Sequence, residues 1–231
     1  MKAIRFNFYQ ESANYRISTN FESRNSYPLP PFSTVIGMIH NLCSFDSYHP
    51  MQLGIKGTYD GIADDLQQGY SFGSLKFDPK RHHFSANGIG VNKSIFHVEL
   101  LWDIDLSITI VPDDESDLSV IYESLSNPRE YPSLGRREDI GSLTDVKIVD
   151  LDLHFFEEET IIDYPGWIPT TLNQGTRFNI PKNYKLKQVR KNKAFREFEN
   201  IPVSISQGEV SVTPNTPIFK NKESNDYVFL F

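Results

Sequence analysis

The sequence contains a single cysteine, Cys43, among 231 residues. One thiol excludes an internal disulfide and a cysteine-based zinc cage. No stretch approaches the roughly 20 consecutive apolar residues that a membrane helix needs. The first fifteen residues, MKAIRFNFYQESANY, lack the apolar block and small-residue cleavage site of a secretion signal. Nothing matches the glycine pattern of a P-loop or a dinucleotide fold, and no nucleophile elbow is present. His49, His97 and His154 form no H-x-x-x-H pair or other metal-ligand spacing with one another. These absences set aside disulfide scaffolds, helical membrane proteins, zinc sites and the common nucleotide-dependent enzymes. They lead to the expectation of a soluble cytoplasmic protein with no membrane contact, no metal and no cofactor.

Positive charge is also scarce overall, with 23 Lys and Arg against 30 Asp and Glu and a formal net charge of -7. Its distribution is uneven. Between Thr176 and Arg196 there are eight basic residues and no acidic one. A basic segment on an acidic body can hold a polyanion on one side, and it can equally be a solvated, mobile loop. Hydrophobic residues make up 39% of the chain and charged residues 23%, enough for a packed core. The length fits one large domain or one domain with an appendage.

Along the chain, Ile4, Phe6 and Phe8 alternate with polar neighbours, the period of a strand with one buried face. The run Tyr27-Pro28-Leu29-Pro30-Pro31 predicts an extended lead-in, because proline cannot donate to a ladder. A helix follows, with Ser33 or Thr34 as its cap and Val35, Ile36, Ile39, Leu42 and Cys43 on one stripe. Leu53 to Tyr59 reads as a weaker strand, broken by Gly54 and Gly57. Asn87-Gly88 is a tight-turn signal, so residues 70–96 are expected to project as a hairpin. Phe96, Val98, Leu100, Trp102, Ile104, Leu106, Ile108 and Ile110 all fall on even positions and predict a long, bent strand with that face in the core. Leu118, Ile121, Tyr122 and Leu125 mark a second helix ended by Pro128. Val146, Ile148, Leu151, Leu153 and Phe155 read as the next strand.

The expected class is therefore α+β. Without its hairpin the order is βαββαβ, the ferredoxin-like or RNA-recognition-motif-like arrangement. Residues 1–160 form that core, with the inserted hairpin at about 70–96. Residues 161–231 are expected to form a small C-terminal β appendage carrying the basic segment 176–196.

Two segments carry a resemblance. One is Tyr27-Pro-Leu-Pro-Pro-Phe-Ser-Thr-Val-Ile-Gly37, after the first strand. The other is Tyr131-Pro-Ser-Leu-Gly-Arg-Arg-Glu-Asp139, between the second helix and the fourth core strand. Together, on this element order, they resemble family five of the CRISPR-associated (Cas) proteins, in the variety of subtype I-B. That resemblance implies a non-catalytic subunit of a type I surveillance complex (Cascade), with a protruding hairpin called the thumb. Such a subunit binds the 5′ handle of the guide RNA (crRNA) and anchors the backbone (family seven) and large (family eight) subunits. In subtype I-C the family member also cuts the precursor RNA, so a metal-independent endoribonuclease is the alternative. A protein-interaction subunit whose basic segment touches target DNA is a third.

Each candidate RNA-binding residue has a plainer structural alternative. In the loop Ser133 to Arg137, Gly135 lets the backbone approach a phosphate and Arg136 and Arg137 supply bidentate donors. The alternative is an ordinary turn with both arginines paired to Glu138 and Asp139. Ser33 and Thr34 sit at a helix start, which favours an anion and is also a plain N-cap. Arg16 and Arg24 can reach the same phosphates or be ordinary surface residues. Tyr27 can stack a base or pack on its prolines. Lys80, Arg81, His82 and His83 precede the hairpin turn and can clamp RNA or form a solvated tip. Two histidines also meet the acid–base requirement of metal-independent cleavage, although a hairpin tip holds such geometry poorly. His40 reads as a half-buried structural histidine. The clusters Asp113-Asp114-Glu115-Asp117 and Glu157-Glu158-Glu159 read as solvated turns.

Overall fold

The computed structural model describes residues 1–18, 23–190, 193–224 and 226–231. In chain order the elements are β1 (Lys2–Ala13), β2 (Ser23–Arg24), α1 (Phe32–Cys43), β3 (Met51–Lys76), β4 (Phe84–Ala86), β5 (Ile89–Pro112), α2 (Asp117–Ser126), β6 (Ser142–His154), β7 (Thr160–Pro169), β8 (Thr176–Arg190), β9 (Lys193–Val212), β10 (Ile218–Asn221) and β11 (Tyr227–Val228). The result is a mostly antiparallel sheet with two helices.

At its centre four strands stand in the order β6-β1-β5-β3, each antiparallel to its neighbour. The alternating apolar residues set this register. Ile4 stands opposite Ile110, Phe6 opposite Ile108 and Phe8 opposite Leu106. All six are buried in one core with Val35, Ile36, Ile39 and Leu42 of α1 and Ile121 and Leu125 of α2. Burying each such side chain contributes about 1.5–3 kcal/mol, so this layer is the main source of stability.

Neither Ser33 nor Thr34 caps α1. Pro31 holds the cap position in an extended conformation with no side-chain bond, and Ser33 and Thr34 lie in the first turn. The ring locks φ before a helix without needing an N–H, which explains why the helix starts there. Trp102 is 41% exposed while Leu101 is buried, because Asp103 adopts φ 54 and interrupts the alternation of β5. In β6 a bulge opposite Phe6, with Asp145 at φ 55, shifts the pattern. Val149 and Leu151 are then buried beside Ala3, Val111 and Val228, and Ile148, Leu153 and Phe155 are left exposed.

Gly54 and Gly57 do not break β3. The strand pairs with β5 from Met51↔Pro112 out to Phe72↔Val91. Gly54 instead makes room for the C-terminal chain, since a Cβ there would meet Val228 and the Phe229 carbonyl. The hairpin predicted over 70–96 is thus the outer part of a longer ribbon. It closes at Asn87-Gly88, where both residues have positive φ (50 and 79) as a tight hairpin turn requires.

Residues 161–231 flank the four central strands on both sides. β7, β9 and β8 continue beyond β3, while β10 and β11 continue beyond β6. Phe231 exchanges backbone hydrogen bonds with Leu53 at 3.0 and 3.1 Å, and its ring meets Phe32 at 5.1 Å. The basic segment is paired strand: β8 and the start of β9 form a hairpin from Thr176↔Ile205 to Arg190↔Lys193. Lys191 lies outside the described residues. Among the described residues, no helix is long and apolar enough to cross a membrane.

Candidate nucleic-acid interface

The glycine loop between α2 and β6 rests on a buried polar network. Gln10, at 0% exposure, donates from Nε2 to the Leu134 and Asp139 carbonyls at 2.9 and 2.7 Å. Its Oε1 accepts from the Tyr15 hydroxyl at 2.7 Å. Asp139 is 2% exposed, and its Oδ2 accepts the backbone N–H groups of Asn14 (3.0 Å) and Arg136 (2.8 Å). The Arg136 guanidinium closes over that carboxylate, with Nε and Nη2 at 3.0 and 2.6 Å from Oδ1. Burial and the neighbouring Asp139 push the Tyr15 hydroxyl far above its usual range, so it remains a donor. Hydrogen bonding to Asp139 likewise raises Arg136. Gly135 has φ +105, and a Cβ there would lie 2.7 Å from Asp139 Oδ2 and 2.8 Å from the Asn14 carbonyl. Only glycine fits that turn.

The two loop arginines therefore differ. Arg136 is engaged by Asp139, by Glu138 at 3.3 Å and, across to β3, by Gln67 at 3.5 Å. For Arg136 the ion-paired alternative is the arrangement observed. Arg137 is exposed, with no ion pair or side-chain hydrogen bond among the described residues.

Arg24 lies on β2 beside β5, its guanidinium 4.4 Å from the Phe96 ring centre and its carbonyl bonded to Asn14, the residue that also holds Asp139. Arg16 is exposed nearby, in a bridge to Ser26. Tyr27 is buried at 9% with its ring edge-on to Phe178, so it packs inward. Ser33 and Thr34 are half-buried on α1. Thr34 lines a depression of ≈ 220 Å³ together with Ser133 and Gly135, which brings the helix start and the glycine loop into one place.

The thumb residues stand apart. His83 lies beside Asn92, four residues beyond Phe96 and so about 13 Å further along the ribbon. Nδ1 of His82 accepts the Asp78 N–H at 3.0 Å, and Nδ1 of His83 lies 3.3 Å from the Lys93 N–H. Arg81 is 3.7 Å from Asp78, and Lys80 is exposed. His40 is half-buried with Nε2 3.3 Å from the His49 carbonyl, and burial lowers its pKa. No group of three or more His, Cys, Asp or Glu suited to a metal occurs among the described residues.

Sequence reasoning missed a second cleft. It has a volume of ≈ 750 Å³ and lies between α1 and the β8–β9 hairpin. Ser33, Thr34 and Gly37 form one wall, and Lys182, Tyr184, Arg196 and Phe198 the other. The basic segment was the available signal, but its partner α1 is about 150 residues away in the chain.

No protein-family model and no curated protein matches the sequence. Among solved structures, a CRISPR protein from Archaeoglobus fulgidus aligns at 12% identity over 99% of this chain and 98% of that one, with a TM-score of 0.47. A chain of a type III-B Cmr-beta complex bound to cognate target RNA aligns at 10% identity over 90% and 86%, with a TM-score of 0.46. A chain of a CRISPR RNA-guided surveillance complex aligns at 16% identity over 90% of this chain and 91% of that one, with a TM-score of 0.55. It is with this last chain that the present one shares its fold.

Proposed function

We propose that this chain is a non-catalytic RNA-binding subunit of a type I CRISPR surveillance complex, of the family-five kind, which holds the 5′ handle of crRNA in the cytoplasm. Its four-stranded centre is read as a ferredoxin-like core and its β3–β5 ribbon as the thumb. The order β6-β1-β5-β3 with both helices on one face supports the first reading. One observation carries the functional reading: a glycine loop fixed from beneath shares a depression with the start of α1 through Ser133 and Gly135, and its Arg137 is exposed with no ion pair among the described residues. A loop held by Gln10, Asn14 and Asp139 is preorganised, so phosphate binding there costs little ordering.

The handle is held without chemistry. His82 commits Nδ1 to the Asp78 N–H of the thumb turn and His83 sets Nδ1 against Lys93 of β5, which favours a structural role over general acid–base work. Leu66, Tyr70 and Ile95 are each more than half exposed on one face of the ribbon, a surface fitted to neighbouring backbone or large subunits. Incubating the purified chain with repeat RNA in EDTA tests the reading. Salt-dependent binding without a cut is expected. A defined cut makes the chain an endoribonuclease instead.

A further inference from the structure

We infer that a single-stranded nucleic acid crosses α1 at Gly37 and stacks a base in the cleft between α1 and the β8–β9 hairpin, an inference that rests on the RNA-binding reading above. The starting point is Gly37. It lies mid-helix and exposed, and a Cβ there would meet nothing within 4 Å. Internal packing thus gives no reason for glycine, which is a poor helix former. A ligand passing close to the helix backbone supplies one. Thr34 and Gly37 line both the depression beside Ser133 and Gly135 and the ≈ 750 Å³ cleft on the far side of α1. Gly37 is therefore the saddle between the two.

The cleft has the chemistry of a nucleotide site. Tyr184 and Phe198 face each other across the β8–β9 ladder, their rings edge-to-face at 6.0 Å and 43% and 47% exposed. Tyr48 stands on the opposite wall. Aromatic faces of this kind stack any base. The Arg196 guanidinium lies 4.6 Å from the Tyr184 ring centre, and Lys182 is half-buried with no ion pair among the described residues. Burial lowers the Lys182 pKa, an environment that an added anion would reverse. Asp46 is the one carboxylate among the residues lining the cleft. An apolar peptide in the same place would cover the half-buried Lys182 and the exposed Arg196 against one lining carboxylate, Asp46, which is costly, whereas a phosphodiester neutralises them.

The test uses the full chain and a short single-stranded RNA carrying 2-aminopurine for affinity and 4-thiouridine for crosslinking. Crosslinks are expected on the segments holding Tyr48 and Tyr184–Phe198. The double variant Tyr184→Ala/Phe198→Ala should bind about tenfold more weakly. Gly37→Ala should raise the Tm while weakening RNA binding. If RNA binds and Arg137→Glu weakens it, yet the cleft variants bind like the unaltered chain, this inference falls and the loop reading stands. A lowered Tm for Gly37→Ala also overturns it, since the glycine then has a packing role. No RNA binding by the unaltered chain overturns both.

Discussion

Reversing the charge of Arg136 and of Arg137 separately should produce two different defects. Arg136 has a side chain only 19% exposed and covers Asp139, whose side chain is 1% exposed. Glutamate there would set a second carboxylate against a buried one. Breaking a buried pair costs about 3–5 kcal/mol, and the partial exposure of Arg136 places the loss near about 3. For a chain of this size about 3 kcal/mol corresponds to a fall of about 6–12 °C in Tm. Arg137 is exposed and has no ion pair or side-chain hydrogen bond among the described residues, so Arg137→Glu should change stability by less than about 0.5 kcal/mol. Its effect should appear in RNA binding. A charged hydrogen bond to phosphate is worth about 1.5–3 kcal/mol, and surface screening reduces it, so about tenfold weaker handle binding is expected at moderate salt. Thermal melts and salt-dependent titrations of both single variants decide the matter. An unchanged Tm in Arg136→Glu would refute the buried-pair argument. An unchanged affinity in Arg137→Glu, with the fold confirmed by circular dichroism, would remove the loop from the RNA site.

Replacing residues 74–92 by a Gly-Ser turn should leave the Tm of the isolated chain nearly unchanged while weakening assembly with partner subunits; a cooperative loss of the fold would mark the ribbon end as structural. In cells carrying the full system, His82→Ala/His83→Ala should leave precursor RNA processed, and accumulation of uncut precursor would assign those histidines to catalysis. Acidification should destabilise the fold through His40. Its folded pKa is depressed by burial, so its contribution is present above the unfolded value of about 6.5 and is lost as pH falls through the folded value. His40→Gln should flatten that slope in pH-dependent melts; an identical slope would place the titration elsewhere.

The elements most legible in the sequence are those with one buried face. Ile4, Phe6 and Phe8 on β1, the even positions from Ile104 to Ile110 on β5, and the stripes of α1 and α2 all lie where their periodicity puts them. The length of β3 was hidden because its outer half buries neither face: Asp64, Asp65, Gln67 and Gln68 carry no period when both sides meet solvent. The distribution of β7 to β11 over both edges of the sheet depends on pairings between distant segments, which local patterns do not encode. The glycine loop was visible as a motif, but Arg136 and Arg137 are equivalent as letters. What separates them is Gln10 and Asn14, more than a hundred residues upstream, holding Asp139 beneath one arginine and not the other. The cleft lined by Lys182 and Arg196 was only half legible, as a basic segment without the helix it faces.

The central claim, that this chain holds the constant 5′ end of a guide RNA, is tested most directly by purifying it from its native cells and sequencing the RNA that comes with it. The account predicts RNAs that differ in their spacers and share one repeat-derived 5′ sequence, with crosslinks on Arg137 or its neighbours in the glycine loop. Recovery of no RNA, or of RNA without a common 5′ end, would contradict it.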